Sequence, residues 1–169
     1  MRSARVILAV VLALVLQTTL ARFAMRVSSA VDLVLIVVVY VALTSGATTG
    51  LLSGAFAGLV QDALMSPVIG IGGLSKTLIG FLAGAIGTQF IVAQPLPRFV
   101  VFFGATVLHA VVFMGLYVLL DLRDFGSPVT AVVVQALGNA LVGVVAFQVA
   151  EGLPGAIERR RITRTRRRR

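Results

Sequence analysis

The chain has 169 residues, of which 59% are hydrophobic and 12% are charged, whereas soluble domains carry roughly a quarter charged residues. The lack of cysteine excludes disulfides, thiolate metal sites and a cysteine nucleophile, and one histidine with six acids leaves little for metal chemistry. Apolar runs close to the roughly twenty residues that cross a bilayer recur along the whole length. These features predict an all-α polytopic membrane protein.

Six transmembrane helices are predicted, at residues 6–21, 30–44, 46–64, 73–92, 99–120 and 129–150. The first could instead be a cleaved signal peptide, because Thr19 and Ala21 form a small-residue pattern before a cleavage point. The cluster "TSGATTG" between the second and third spans predicts a tight helical hairpin. We expect one domain over residues 1–153, followed by an Arg-rich tail over 154–169 that is disordered.

The arginines predict the orientation of the spans. With the N-terminus inside, eleven arginines lie on the cytoplasmic face and three on the outer face, so both termini are expected in the cytoplasm. The tail would lie against anionic lipids, where each basic residue contributes about 1 kcal/mol. No aromatic residue interleaves the run, so nucleic acid is not an expected partner. The tail arginines are Arg159, Arg160, Arg161, Arg164, Arg166, Arg167, Arg168 and Arg169.

The stretch "GIGGLSKT" at 70–77 resembles a phosphate-binding loop at first sight. The loop pattern that starts at Gly70 requires a second glycine at position 75, where this chain has Ser75. The stretch also lies between two membrane helices rather than after a strand of a soluble sheet. We therefore expect no nucleotide at this point, and a different role for Lys76.

Glycines recur every four residues on two neighbouring spans, and residues four apart share one helix face. On the third span this line ends at Asp62, and on the fourth it begins at Lys76. Such smooth faces allow the close backbone packing typical of membrane helices. We predict that the two faces meet within one hairpin and that Asp62 and Lys76 form an ion pair at its outer end. The glycines are Gly46, Gly50, Gly54, Gly58, Gly80 and Gly84.

Two alternatives remain open, one for the glycine faces and one for Asp62. The glycine faces could contact a helix of a partner protein, and Asp62 could be a proton or ion site.

Several polar residues lie within or beside the predicted spans. A hydrogen bond between His109 and the face formed by Gln135 and Asn139 would satisfy these side chains, while Asp32 is expected to cap the second span. Glu151 is expected in a solvated pair with arginine. No catalytic set can be assembled at one membrane depth, so no catalytic residue, metal ligand or cofactor is predicted.

The segments "VDLVLIVVVYVALTSG" and "GAFAGLVQDALMSPVIGIGGL" resemble the MreD family of rod-shape-determining membrane proteins. The resemblance implies a non-enzymatic scaffold of the bacterial cell-elongation complex in the inner membrane. Its implied partners are MreC directly, then MreB and the peptidoglycan synthases. It also implies a fold similar to the substrate-binding subunits of energy-coupling-factor transporters. Asp62 and Gly70 fall within the family's motif region, whereas Lys76 does not follow from the resemblance.

An alternative function is the substrate-binding membrane subunit of a vitamin importer of the energy-coupling-factor type. Ala9 and Ala13 form the small-residue pair that such subunits present to their coupling protein. A vitamin pocket is expected to combine aromatic and polar groups, and this chain has no Trp and only Tyr40 and Tyr117. The scaffold is therefore the leading interpretation.

Overall fold

The computed structural model describes residues 2–23, 30–89, 94–122, 125–126 and 128–166, with side chains described except at 2, 3, 5, 89 and 153–166. This part of the chain is helical, with short connections and no strand. The helices are α1 (Arg2–Phe23), α2 (Leu33–Ser45), α3 (Ala47–Met65), α4 (Ile71–Gln89), α5 (Pro95–Leu119) and α6 (Val129–Arg166).

Four of these helices contain segments that are long and apolar enough to cross a membrane: Val6–Phe23, Ile71–Thr88, Pro95–Leu119 and Val129–Gly152. The 13 residues of α2 rise only about 20 Å, which is short of a bilayer core of about 30 Å. The 19-residue α3 has sufficient length, but its Gly, Ser and Thr residues lower its hydropathy. The prediction of several apolar membrane helices is confirmed, whereas exactly six complete spans stays a prediction.

A single glycine separates α2 from α3. Gly46 has φ +89°, a left-handed conformation that costs glycine no side-chain clash, and its N–H donates to the carbonyl of Ala42. The two helices run back along one another, since Val34 of α2 and Ala57 of α3 lie in the same buried cluster. The hairpin predicted from "TSGATTG" is therefore present.

The core lies around α2, which contacts all five of the other helices. One cluster joins α2 to α4, α5 and α6, and centres on Leu35, Val39 and Phe102. The second cluster joins α2 to α1 and α3 around Val38 and Ala57. Many apolar side chains of α1, α5 and α6 are exposed instead, as expected for surfaces in contact with lipid.

The last helix continues past the membrane segment. Its backbone remains helical past residue 153, the predicted end of the membrane domain, and on to Arg166. The division into a membrane domain and a disordered tail therefore stays a prediction, and the last three arginines lie outside the described residues.

Candidate functional site

The glycine faces of α3 and α4 contact one another directly. A Cβ added at Gly50 would overlap the carbonyl oxygen of Gly80, and a Cβ at Gly54 would overlap that of Lys76. A Cβ at Gly58 would lie 2.7 Å from the Cα of Gly73, closer than real Cβ atoms come. Each step of four residues along α3 is matched by a step of about four in the reverse direction along α4. Only glycine allows the two backbones this separation over about two turns.

Gly46 and Gly84 lie at the far end of this interface and differ in role. A Cβ at Gly84 would lie 2.5 Å from the Cα of Ala47, so Gly84 continues the close contact. A Cβ at Gly46 would meet only a methyl group of Thr88 at 3.9 Å, and its positive φ makes it the turn residue between α2 and α3. The predicted glycine line therefore contains interface residues and one turn residue.

Asp62 binds backbone rather than a cation. Its Oδ2 accepts hydrogen bonds from the N–H of Gly70 at 2.9 Å and of Gly73 at 3.0 Å. Gly70 immediately precedes α4 and Gly73 lies in its first turn, where amides lack partners within the helix and the dipole favours negative charge. The predicted ion pair between Asp62 and Lys76 is wrong, because the start of α4 offers the carboxylate closer donors than the lysine one turn further along.

Lys76 is paired with Asp32 instead. Its Nζ lies 3.0 Å from Asp32 Oδ2, and both side chains are at most 9% exposed. The same Nζ lies 3.2 Å from Nε2 of His109. A lysine ammonium has donors but no acceptor, so Nε2 accepts and the proton of the neutral imidazole resides on Nδ1. The geometry joins α2, α4 and α5 at a buried ionic centre formed by Asp32, Lys76 and His109.

The ionic centre extends into a chain of hydrogen bonds. Asp32 caps α2 as predicted, with Oδ1 accepting from the N–H of Leu35 at 2.9 Å. Its own N–H donates to Asn139 Oδ1 at 2.8 Å, and Asn139 Nδ2 donates to Thr106 Oγ1 at 3.1 Å. The predicted bond from His109 to the face of Asn139 is therefore wrong, since each has a different partner. Asn139 is fully buried and ties α6 to the start of α2.

A second ion pair closes the opposite end of α5 and α6. Arg98 Nη2 donates to Glu151 Oε1 at 2.9 Å, and the guanidinium carbon lies 3.9 Å from the ring centre of Phe147. The Arg98 side chain is 4% exposed and that of Glu151 is 55% exposed. Glu151 is paired with arginine as predicted, but sequence reasoning missed that this arginine is buried.

A cavity of about 740 Å³ lies beside the ionic centre. Its walls come from the ends of α3 and α5, the starts of α4 and α6, and the connections between them. Asp32, Lys76 and His109 line it together with Gln61, Asp62 and Gln135, and Phe113, Tyr117 and Phe125 add aromatic surface. This convergence of aromatic and polar groups was not predicted from the sequence, which places Tyr117 only at a span end.

The stretch 70–77 is part of a helix interface and not a phosphate cradle. Its glycines Gly72 and Gly73 contact Asp62 and α3, and the ammonium of Lys76 is bound by Asp32 and His109. The N–H groups of Gly70 and Gly73 donate to the Asp62 carboxylate, so they are not available to a phosphate.

A sequence model of the family described as rod shape-determining protein MreD matches residues 2–149. The chain belongs to the MreD family. The match covers most of the 169 residues, and includes α1 to α5 and the membrane segment of α6 up to its last turn. No curated protein and no solved structure matches the chain. Membership supports a role in rod-shape determination and places the helix interface and the ionic centre in a shape-determining family rather than in a known class of enzymes.

Proposed function

We propose that this MreD-family chain is a non-enzymatic scaffold of the bacterial cell-elongation complex, which binds MreC through its membrane helices. The observation that carries the proposal is the family match over residues 2–149. In this proposal the chain lies in the inner membrane with both termini in the cytoplasm. Together with MreC it positions the peptidoglycan synthases and MreB, while the tail arginines contact anionic lipids.

The glycine faces of α3 and α4 are not free to bind a helix of MreC. Because α3 and α4 already fill one another's glycine faces, a partner helix requires a different surface. A groove of about 540 Å³ between α1 and α3 offers one. Its wall contains the small side chains Ser45, Thr49 and Ser53, beside the exposed apolar side chains of Leu52 and Phe56. Small residues allow close helix approach, so we place the MreC helix in this groove.

The vitamin-importer alternative loses one of its supports. Ala13 is 4% exposed and packs within the chain's own cluster beside Val10, Leu14 and Val34. The small-residue pair formed with Ala9 is therefore not a free surface for a coupling protein. The cavity beside the ionic centre does combine aromatic and polar groups as a vitamin pocket would, so we favour the scaffold on the family match over residues 2–149.

Affinity purification of the tagged chain from its native membrane tests the proposal. We expect MreC to co-purify and loss of the gene to round rod-shaped cells. Thr49→Leu, which fills the groove, should reduce MreC recovery. Thr130→Leu, an equally conservative change at an exposed threonine of α6, should leave recovery unchanged. Normal rods after gene loss, with no MreC recovered, would refute the scaffold, and recovery of a transport ATPase module would favour the importer.

A further inference from the structure

The wall of the cavity beside the ionic centre contains acceptors that the described residues leave without donors. Gln61 Oε1 is buried, yet it has no hydrogen-bond partner among the described residues. An unsatisfied buried carbonyl oxygen carries a desolvation cost that a bound donor removes. Gln61 lines the cavity next to Asp62, whose hydrogen bonds to described residues all reach Oδ2 and leave Oδ1 without a donor.

The charges around the cavity favour a cation over an anion. The ammonium of Lys76 is neutralised by Asp32 at 3.0 Å, and His109 accepts from that ammonium as a neutral ring. Asp62 is stabilised by two backbone N–H groups, and no cation of the described part of the chain pairs with it. One negative charge is therefore left in the cavity wall.

The remaining wall is apolar and partly aromatic. Phe113 and Tyr117 have ring centres 4.9 Å apart, and Tyr117 and Phe125 are 5.8 Å apart. Aromatic faces attract cations and provide contact area for an apolar body. The cavity of about 740 Å³ is within the range of small-molecule sites, and it combines these faces with a few polar groups on one side.

We propose that this cavity binds a primary ammonium group carried on an apolar body, with its N–H donors directed to Asp62 Oδ1 and to Gln61 Oε1, which reaches the ammonium when the amide of Gln61 rotates toward the cavity. The ammonium satisfies the orphan amide oxygen and balances the carboxylate, and the body lies against Phe113, Tyr117 and Phe125. A free amine and the headgroup of an aminolipid share this chemistry. The site is independent of the groove assigned to MreC, which lies between other faces of the helices.

Calorimetric titration of the purified full-length chain with three matched probes tests this site. Benzylamine carries charge and N–H donors, benzyl alcohol has a donor without charge, and benzyltrimethylammonium has charge without a donor. We expect benzylamine to bind at least about tenfold more tightly than either of the others, because a hydrogen bond to a charged donor is among the stronger kinds. Equal affinities for all three probes would overturn the proposal.

Two substitutions at Gln61, expected to change benzylamine affinity in opposite directions, test whether the amine binds at this residue. Gln61→Met keeps the side-chain length and removes the acceptor, so benzylamine should bind about tenfold more weakly. Gln61→Glu adds an anionic acceptor and should strengthen binding. Leu74→Ala, at an exposed position of α4, serves as the control. Unchanged affinity in both Gln61 variants, each folded as judged by its melting curve, would place any amine binding elsewhere and overturn the assignment.

Changing the lipid around the protein distinguishes an aminolipid headgroup from a free amine as the natural occupant. The titration is repeated in nanodiscs of phosphatidylcholine alone and in nanodiscs with phosphatidylethanolamine. Weaker benzylamine binding in the second set identifies the aminolipid headgroup as the occupant, and equal binding in both identifies a free amine.

Discussion

Substitution of Gly50 by alanine is the sharpest test of the contact between α3 and α4. The new Cβ would overlap the carbonyl oxygen of Gly80 and lie 2.6 Å from the Cβ of Ala42, where ordinary contact begins at 3.4 Å. Neither neighbour can give way, because one is helix backbone and the other belongs to the packed α2. Helix α3 must therefore move about 0.8 Å from α2, the difference between these two distances, and must also move away from the Gly80 backbone of α4. Overpacking of this kind costs about 1–3 kcal/mol.

Gly104→Ala is the matched control, because Gly104 also lies within a helix and a Cβ there would meet nothing within 4 Å. Alanine favours a helix over glycine by about 1 kcal/mol, so the control should melt at the same temperature as the wild type or higher. Thermal unfolding of both variants in the same detergent measures the difference. We expect Gly50→Ala to melt several degrees below the wild type. Equal melting temperatures for Gly50→Ala and Gly104→Ala would show that the glycine contact does not hold the two helices together.

Three further changes test the polar contacts by the same melting assay. Lys76→Met leaves the Asp32 carboxylate buried without its cation and should cost about 3–5 kcal/mol, whereas adding Asp32→Asn should recover part of that loss; additive losses would contradict the pair. Arg98→Met should destabilise far more than Glu151→Gln, because the arginine is buried over an aromatic ring and the glutamate is half exposed; equal effects would contradict this asymmetry. Asn139→Leu removes the acceptor of the buried Asp32 N–H and should cost about 1–3 kcal/mol. An unchanged melting temperature would contradict the role of this hydrogen bond.

Much of the helical layout follows from hydropathy and glycine spacing. The predicted spans 46–64 and 73–92 correspond to α3 and α4 with shifts of a few residues, because apolar length and breaker residues mark helix ends. The period of four placed Gly50, Gly54 and Gly58 on one face, and the short connection made α4 the nearest helix to contact it.

The ionic partners were harder to predict from the same patterns. Spacing gives the height and face of Lys76, but two carboxylates, Asp32 and Asp62, lie near that height. The choice depends on the amides at the start of α4, which bind Asp62 and leave Lys76 to Asp32. One signal was available, since α2 and α4 are parallel alternate spans and Asp32 and Lys76 both lie near their N-terminal ends. The buried position of Arg98 depends on Phe147 in another helix, so it could not be predicted from the residues around Arg98 in the sequence.

Disulfide cross-linking in native membranes tests the proposed scaffold most directly, because it detects contact between the chain and MreC. The chain contains no cysteine of its own, so each introduced cysteine is unique within it. Leu52 in the groove and Leu141 on α6 are 62% and 61% exposed, so cysteines at the two sites are matched in exposure. Paired with single cysteines along the membrane helix of MreC, Leu52→Cys should form a cross-linked product with a helical period, and Leu141→Cys should not. Equal cross-linking at both positions, or none at Leu52→Cys while MreC is present, would contradict docking of MreC in the groove between α1 and α3.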